Sequence, residues 1–491
     1  MLDMRRRAIL FINRNVSGAH AAKSKECALE RRPRAGPGPS GRRIRFVSNQ
    51  AMNTLEQLRS GALAGSRRLS LSCGLQTFAP EIFELADTLE ILDLSGNALN
   101  ALPGDLPRLH RLRIIFCSDN QFTELPAVLG RCPQLEMIGF RANRIRHVPD
   151  AALPPLLRWL VLTDNQIGEL PAGIGRCTRL QKLMLAGNRL EALPPEMAGC
   201  TRLELLRIAA NRFTALPDWL LQLPRLAWLA FAGNPLDQAG EAAAQAAAPL
   251  ARIAWADLRL GRQLGEGASG VIHQALWQRG DTQQPVAVKV FKGALTSDGL
   301  PEHEMAACIS AGAHPNLIAV HGQLAGHPAG ASGLVMALVA PRFGNLAAPP
   351  SLASCTRDVY AADTRFTPHA LVRLARGMAS AARQLHGRGM LHGDLYAHNI
   401  LCRDDGQALL GDFGAASFFA PDDPTLAQAL QRIEVRAFAC LLEELLARCL
   451  PLPGSRATLD RLADLQASCA GDDPAARPLF AQIEEQLAAL S

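Results

Sequence analysis

The sequence is poor in aromatic residues, in closely paired cysteines and in long apolar runs. Tyr accounts for 2 of its 491 residues, and 5% of the chain is aromatic. Its 12 cysteines include no CxxC pair, which argues against a zinc site or a disulfide-stapled fold and favours a reducing cytoplasm. No apolar run is long enough to cross a membrane, and the run 8–12 is shorter than the core of a secretion signal. We therefore expect a cytoplasmic protein that makes no membrane contact.

The charge is too small to indicate binding to nucleic acid. The formal net charge is +6, and much of the excess comes from arginines clustered in the first 43 residues. Without that segment no basic surface is predicted. We expect residues 1–51 to be a disordered basic leader that is dispensable for folding and activity. The remaining chain is too long for one core, so two or more domains are expected.

Asparagine recurs at a fixed period through the first half of the chain. The interval is 23 residues, once 22, and the pattern LxxLxLxxNxLxxLP surrounds each position. The positions are Asn97, Asn120, Asn143, Asn165, Asn188, Asn211 and Asn234. One such unit cannot bury its own leucines, so neighbouring units must stack and share a core. The pattern resembles the leucine-rich-repeat family, which implies an α/β solenoid over residues 60–236 with a short strand at each LxL.

Each repeat Asn is predicted to turn the chain and to hydrogen-bond the backbone of the adjacent coil, because water does not reach those groups. Cys132, Cys177 and Cys200 each lie eleven residues before a repeat Asn and so occupy equivalent places. Metal or redox chemistry is one interpretation of these cysteines. Small buried hydrophobic residues are the favoured one, with thiols that do not react in the folded protein.

The strand positions that point away from the repeat core are largely apolar. The first position of each strand is occupied by Ile91, Ile114, Met137, Trp159, Lys182, Leu205 and Trp228, and the third by residues that include Phe116, Val161 and Met184. Scattered apolar residues are normal at surfaces, but a concave face this apolar favours a cover, which is either a partner or the neighbouring domain. We predict a protein partner on Ile114, Phe116, Met137, Trp159, Met184 and Trp228.

The repeats end after Pro235, and the composition then changes twice. Residues 241–248 are rich in Ala and are predicted to form a short helix that caps the solenoid. From about residue 254 the pattern alternates as strands do. We therefore expect a cap and linker over 237–256 and a second domain over 257–490.

The second domain opens with LGEGASGV, a glycine-rich loop between two predicted strands. Gly265, Gly267 and Gly270 leave room for backbone N–H groups to approach nucleotide phosphates, and Val271 is predicted to contact adenine. Lys289 follows in VAVK, on a strand, where an ammonium can bridge the α- and β-phosphates. Alone the loop is weak evidence for a nucleotide site.

The segments LHGDLYAHNIL and GDFG place three further polar side chains in fixed order. Asp394 is followed five residues later by Asn399, and Asp412 opens Asp-Phe-Gly. Carboxylates clustered around a triphosphate need a divalent metal between them, because phosphoryl transfer depends on positioning and charge neutralisation. These motifs therefore predict a site for a nucleotide and a metal.

Taken in order, these motifs resemble the eukaryotic-type Ser/Thr protein kinase family across residues 257–490. The resemblance implies a two-lobed α+β domain that uses ATP and Mg²⁺. It also implies that Asp394 accepts the proton of the substrate hydroxyl and that Asn399 and Asp412 hold the metal. His392 is expected to orient the backbone of the catalytic loop.

The resemblance extends to the residues that flank the nucleotide. Glu304 is expected to hold Lys289, since it lies ten residues before His314 of an HPN turn, and Glu302 is its rival. Leu334-Val335-Met336 resembles the strand that enters the kinase hinge, with Met336 as gatekeeper. Ala337 to Val339 would then present backbone groups to adenine.

Several positions depart from the family pattern. Gly393 replaces the Arg that pairs with an activation-loop phosphate in many kinases, and the segment after Asp412 is short. Glu434 stands where the family usually has Asp. Tyr396 occupies the place where Ser/Thr kinases usually carry a Lys that steadies the γ-phosphate, which puts the acceptor in doubt.

The combined patterns predict an ATP- and Mg²⁺-dependent kinase of Ser/Thr hydroxyls in protein substrates, preceded by leucine-rich repeats that recruit a partner or regulate the kinase. One alternative is a small-molecule phosphotransferase of related fold, since HGDxxxxN also occurs in such enzymes. The other is a pseudokinase scaffold that binds ATP without turnover. Lys289, Asp394, Asn399 and Asp412 are all present, which favours the active enzyme.

Overall fold

The computed structural model describes residues 53–247, 251–267, 269–293, 295–296, 298–420 and 423–490. The leader predicted over residues 1–51 lies outside the described residues. Within the described part, no helix combines the length and apolar character that a membrane span needs.

The N-terminal half is one parallel sheet of eight three-residue strands, stacked in chain order. The strands are β1 (Arg68–Ser70), β2 (Ile91–Asp93), β3 (Ile114–Phe116), β4 (Met137–Gly139), β5 (Trp159–Val161), β6 (Lys182–Met184), β7 (Leu205–Arg207) and β8 (Trp228–Ala230). Equivalent residues pair across the stack, as Leu160 does with Leu183 and Leu183 with Leu206. Because side chains alternate along a strand, these central leucines point into the solenoid and are fully buried.

Short 3₁₀ helices return the chain on the opposite side of the solenoid. They span Pro80–Leu85, Leu106–Arg108, Ala127–Arg131, Asp150–Ala152, Ala172–Arg176, Pro195–Gly199 and Pro235–Asp237. Most of them begin at or just after a proline, whose fixed φ suits the first turn of a helix. Two short α-helices, α1 (Leu55–Arg59) and α2 (Asp218–Leu221), belong to the same half.

The predicted asparagine ladder is present. Asn188 accepts a hydrogen bond from Ile167 N at 3.0 Å and donates to the carbonyl oxygens of Leu162 and Leu185, both at 2.9 Å. The other repeat asparagines make equivalent bonds, so each coil satisfies the buried backbone of its neighbour.

The three equivalent cysteines lie in the repeat core, as the favoured interpretation predicted. Cys132, Cys177 and Cys200 are all buried. Burial raises the pKa of the first two thiols to about 11 and that of Cys200 to about 12. The thiols therefore stay protonated at neutral pH, which makes them poor nucleophiles.

The Ala-rich segment after the repeats forms α3 (Gln238–Ala247), the helix predicted there. The strand β9 (Arg252–Ala254) follows within the predicted linker. It pairs in parallel with β13 (Val320–Ala325), so this part of the linker belongs to the sheet of the second domain.

The second domain begins with a small lobe built on a six-stranded sheet of order β10-β11-β12-β14-β13-β9. Its remaining strands are β10 (Leu258–Glu266), β11 (Gly270–Arg279), β12 (Thr282–Phe291) and β14 (Gly333–Ala337). One helix, α4 (Pro301–Ser310), lies between β12 and β13 in the chain.

The large lobe is mainly helical. Its helices are α5 (Pro368–Gly387), α6 (Pro424–Leu446), α7 (Arg456–Ala470) and α8 (Phe480–Ala488). Two small sheets flank the loops that hold Asp394 and Asp412. One consists of β15 (Gly344–Asn345), β17 (Ile400–Cys402) and β18 (Ala408–Leu410), and the other of β16 (Met390–Leu391) and β19 (Ser417–Phe418). The predicted fold class, a repeat solenoid followed by a two-lobed α+β domain, is confirmed.

Candidate active site

The glycine-rich loop joins β10 to β11 and closes on itself through a hydrogen bond from Gly267 N to Gly270 O at 2.9 Å. A Cβ at Gly270 would lie 2.6 Å from Val290 O, so the close approach of β12 excludes a side chain there. Gly265 has open space around it. The loop can therefore bring its backbone close to a bound phosphate.

A cavity of about 180 Å³ lies beside this loop, at the junction of the lobes. Met336, Ala337 and Val339, predicted to flank adenine, all line it, and so does Gly265. Further lining residues are Leu264, Ile272, Ala287, Ile318 and Leu401. Mainly apolar walls with exposed backbone groups suit a planar base.

Val271, predicted to contact adenine, is not among the residues that line the cavity. Ile272 lines the cavity, whereas Val271, on the same strand, points to the opposite face because side chains alternate. The motif GxGxxGxV places its apolar residue two positions after the last glycine, which is Ile272 in this chain. Counting the motif from Gly270 would have identified it.

Lys289 and Glu304 form a buried ion pair that joins β12 to α4. Burial opposes the charged form of Lys289, but the carboxylates of Glu304 and Asp412 raise its pKa. Glu302, the rival partner, is exposed. The pair orients the ammonium toward the region between the glycine loop and Asp412, where a phosphate chain would lie.

Asp394 and Asn399 meet in the loop after β16. Asn399 Nδ2 donates to Asp394 Oδ2 at 2.7 Å and to Asp394 O at 3.0 Å. Since the amide nitrogen is engaged, the amide oxygen is the group that Asn399 offers to a metal. His392 accepts from Asp394 N at 3.3 Å through Nδ1, and its Nε2 donates to Gly411 O at 3.0 Å, so it orients this backbone as expected.

Asp412 has a left-handed backbone, with φ of 58°, and its Oδ1 accepts from Gly414 N at 3.3 Å. Among the described residues there is no cluster of three or more His, Cys, Asp or Glu side chains that could hold a metal by themselves. Mg²⁺ is commonly held by one or two carboxylates together with the phosphates and water, and Asp412 and Asn399 would supply one carboxylate and one amide oxygen to such an ion.

Glu434 takes the place of the usual Asp and supports the loop from α6. Its Oε1 accepts from Gly393 N at 2.7 Å, and its Oε2 pairs with His386 Nε2 at 2.7 Å. Burial opposes ionisation of this carboxyl, but the hydrogen bonds from His386 and Gly393 lower its pKa. The longer side chain thus still reaches the catalytic loop.

Arg207, at the end of β7, enters the same site from the repeats. Its Nη1 donates to Gly393 O at 2.9 Å, its Nη2 to Asp394 Oδ1, and its Nε to Asp298 Oδ1 at 2.8 Å. The side chain is 1% exposed. One signal of this residue was present in the sequence: it is a lone Arg that follows Val161 and Met184 in the third strand position.

Trp228, on β8, contacts the next two residues of the loop. Its ring stacks on that of Tyr396, with centroids 4.1 Å apart and an interplanar angle of 7°, and its Nε1 donates to Leu395 O at 3.3 Å. Lys182, on β6, is buried nearby with its ammonium 4.3 Å from the centre of the Trp159 ring. Burial lowers the pKa of Lys182.

The concave face predicted to bind a protein partner is covered, largely by the second domain. Ile114, Met137, Met184 and Trp228 are buried, while Phe116 and Trp159 are partly buried. Met184 and Trp228 share one apolar cluster with large-lobe residues. Of the two covers considered from the sequence, the neighbouring domain occupies the C-terminal strands, and a protein partner on this face stays a prediction.

Comparisons with known proteins divide the chain at the same point. Residues 258–445 match the family model described as protein tyrosine and serine/threonine kinase. Residues 178–236 match the leucine-rich repeat model.

Three relatives are similar to parts of this chain. The transforming growth factor beta activator LRRC32 of Mus musculus is 34% identical over 24% of this chain and 19% of that protein. The probable inactive serine/threonine-protein kinase roco10 of Dictyostelium discoideum is 36% identical over 18% of this chain and 3% of that protein. The tyrosine-protein kinase transforming protein RYK of avian retrovirus RPL30 is 27% identical over 47% of this chain and 61% of that protein. The chain thus spans less than two thirds of each of these relatives.

Proposed function

Because the chain carries leucine-rich repeats followed by a protein kinase domain, we propose that it is an ATP- and Mg²⁺-dependent protein kinase that phosphorylates Ser/Thr hydroxyls of protein substrates. The observation that carries the proposal is the convergence of four side chains, in which Asn399 bonds to Asp394 and the charge of Asp412 acts on both Lys289 and Asp394. The catalytic role of each follows from the group it presents.

Lys289, fixed by Glu304, binds the α- and β-phosphates, and the glycine loop covers them with backbone N–H groups. Asn399 Oδ1 and the Asp412 carboxylate would hold Mg²⁺, and the ion would supply positive charge that offsets the charge of the transferred phosphoryl group. Asp394 orients the acceptor hydroxyl and takes its proton. One of its oxygens is bonded to Asn399 and the other to Arg207, and a carboxylate has about four lone-pair sites, so acceptor capacity remains.

Tyrosine is the second candidate acceptor. RYK, which matches across 47% of this chain, is named a tyrosine-protein kinase. Tyr396 also replaces the Lys that is usual in Ser/Thr kinases. Phosphoamino-acid analysis of the labelled product separates the two candidates, because phosphotyrosine alone would exclude the Ser/Thr proposal.

We propose that the protein is cytoplasmic. We also propose that its repeats act mainly on the kinase domain of the same chain. The described cysteines are free thiols, which suits a reducing compartment. The C-terminal strands of the solenoid are occupied by the kinase domain, so a protein partner would have to use the N-terminal strands, where Ile91 and Phe116 are partly exposed.

Incubation of the full chain with γ-labelled ATP, MgCl₂ and protein acceptors tests the proposal. We expect label on protein hydroxyls, lost on chelation of Mg²⁺. Asp394→Asn, which keeps the shape of the side chain, should lower kcat by about 10²–10⁴-fold, the usual contribution of a positioned base. Its affinity for MgATP should change little, since Asp394 does not contact the nucleotide.

Lys289→Met is the matched variant on the nucleotide side. It should weaken both MgATP binding and turnover, because the ammonium contacts the phosphates in the ground state as well as in the transition state. Label on an added metabolite but on no protein would support the small-molecule alternative. MgATP binding without any transfer would support the pseudokinase and contradict the proposal.

A further inference from the structure

Two side chains of the repeats hold four consecutive residues of the catalytic loop. Arg207 bonds to Gly393 O and to the Asp394 carboxylate, and Trp228 bonds to Leu395 O and stacks on Tyr396. Arg207 also bonds to Asp298, in the segment between β12 and α4. One guanidinium therefore ties the catalytic loop to the small lobe through a residue that belongs to neither.

The catalytic loop is adapted to this contact. Gly393 has φ of 72°, and a Cβ there would lie 2.3 Å from Ala415 O and 2.8 Å from Leu229 O of the repeats. The Arg that many kinases carry at this position has no space, because Ala415 O of the kinase domain and Leu229 O of β8 both crowd it. The guanidinium of Arg207 instead reaches the loop from outside the kinase domain.

The contact is part of a continuous core. Met184, Leu205 and Trp228 belong to one apolar cluster with the large lobe, and Phe231 N donates to Ser417 Oγ at 2.8 Å. Separating the domains would expose this apolar surface to water, at a cost that grows with its area. The arrangement is that of a fixed interface.

We propose that Arg207 is a positioning residue of the kinase active site, supplied by the leucine-rich repeats, which fixes Asp394 for catalysis. The inference rests on the proposed kinase function and adds a residue to it. A planar guanidinium has five donors in a rigid fork, so it can bond to Asp298, Gly393 and Asp394 at once. A lysine ammonium at the end of a flexible stem cannot reproduce that geometry.

The position of Asp394 is sensitive to this support. Its carboxylate is held by Asn399 on one oxygen and by Arg207 on the other, and 12% of the side chain remains exposed for an acceptor. A displacement of about 1 Å in a catalytic group can lower a rate by about 10²-fold. Loss of Arg207 should therefore lower the rate of the chemical step without removing any nucleotide contact.

The test uses the full chain and three variants: Arg207→Ala, Arg207→Lys and, as the matched control, Arg141→Ala. Arg141 also joins the repeats to the kinase domain, through Leu295 O at 3.2 Å, but its bond lies outside the catalytic loop. Each variant is measured for kcat, for KM of MgATP, for MgADP binding and for its thermal unfolding temperature.

We expect Arg207→Ala to lower kcat by about 10²-fold with KM for MgATP and MgADP binding nearly unchanged. Arg207→Lys should retain the fold and an intermediate kcat, and Arg141→Ala should turn over at nearly the wild-type rate. If Arg207→Ala does not fold, the test rests on Arg207→Lys. The inference is then supported when the kcat of Arg207→Lys is clearly below that of Arg141→Ala while the two variants bind MgADP equally.

A wild-type or higher kcat in both Arg207 variants overturns the inference and leaves the proposed function intact, since the arginine would then be dispensable or would block the acceptor. A drop in Arg141→Ala equal to that in Arg207→Ala also overturns it, because the effect would belong to the interface in general. A wild-type chain without any phosphotransfer overturns the proposed function and this inference with it.

Discussion

At the scale of single residues, Gly393 lies where the repeats pack against the kinase domain. Its φ of 72° lies in the left-handed region, and carbonyl oxygens from both domains stand where a side chain would begin. Glycine is therefore favoured at this position by the kinase domain itself, through Ala415 O, as well as by the repeats, through Leu229 O.

Gly393→Ala should destabilise the protein by more than the left-handed backbone alone accounts for. That backbone costs about 1–2 kcal/mol for a residue with a Cβ, and contacts of 2.3 Å and 2.8 Å add to it. Gly280→Ala is the matched control, because Gly280 has φ of 57° with nothing within 4 Å of its Cβ position. Urea unfolding of both variants measures the difference. Equal losses would mean that the approach of the repeats imposes no constraint on Gly393.

At the scale of elements, the end of the solenoid and helix α4 meet in a small polar cluster. His303, on α4, pairs with Glu241 of α3 at 2.8 Å. Asp237 caps the turn before α3 by accepting from Gly233 N and Asn234 N at 3.0 and 3.1 Å. His303 precedes Glu304, the partner of Lys289, so this cluster braces the helix that positions the nucleotide side of the site.

The cluster should make stability fall as pH rises from 6 to 8. Burial raises the pKa of Asp237 to about 7. Burial opposes the charged form of His303, but the hydrogen bond and charge of Glu241 raise its pKa above the ordinary value. Both folded groups therefore hold protons that the unfolded chain releases at lower pH, so the folded state binds more protons and stability falls as they leave.

Thermal unfolding at pH 6 and pH 8 measures this effect. The wild-type chain should unfold at a lower temperature at pH 8, and His303→Gln should reduce the difference between the two values. His110→Gln, at a histidine exposed on the repeats, serves as the control and should behave as the wild type. An unchanged pH difference in His303→Gln would exclude this histidine as its source.

Elements with a local sequence signature were predictable, and contacts between distant segments were not. The 23-residue period identified the strands and the asparagine ladder because each repeat bonds to the next. Asp394, Asn399 and Asp412 could be assigned to one candidate site because their motifs are short and keep their spacing. Arg207 was not assigned to the site because it lies 187 positions before Asp394, and no local pattern links the two. Ile272 and not Val271 lines the cavity, because a shift of one residue along a strand reverses the face that a side chain occupies.

At the scale of the whole molecule, the repeats and the kinase domain form one folded unit. The repeat core cluster extends to Leu391, Phe419 and Leu430 of the kinase domain, and a second cluster extends the other way to Trp228. Polar contacts cross the same boundary, as Arg477 does by donating to Pro224 O at 2.6 Å. Domains that share a core are expected to unfold together, unlike domains joined by a linker.

Calorimetric unfolding of the full chain should therefore show one transition, which MgADP shifts as a whole. Trp228→Ala should lower the stability of that single transition by about 3–5 kcal/mol, the usual loss for a buried Trp, because the ring is 1% exposed and packs on Tyr396. Trp277→Ala, at a partly buried Trp of the small lobe, is the control and should cost less. Two separate transitions in the wild type, with MgADP shifting one of them, would mean that the repeats fold independently.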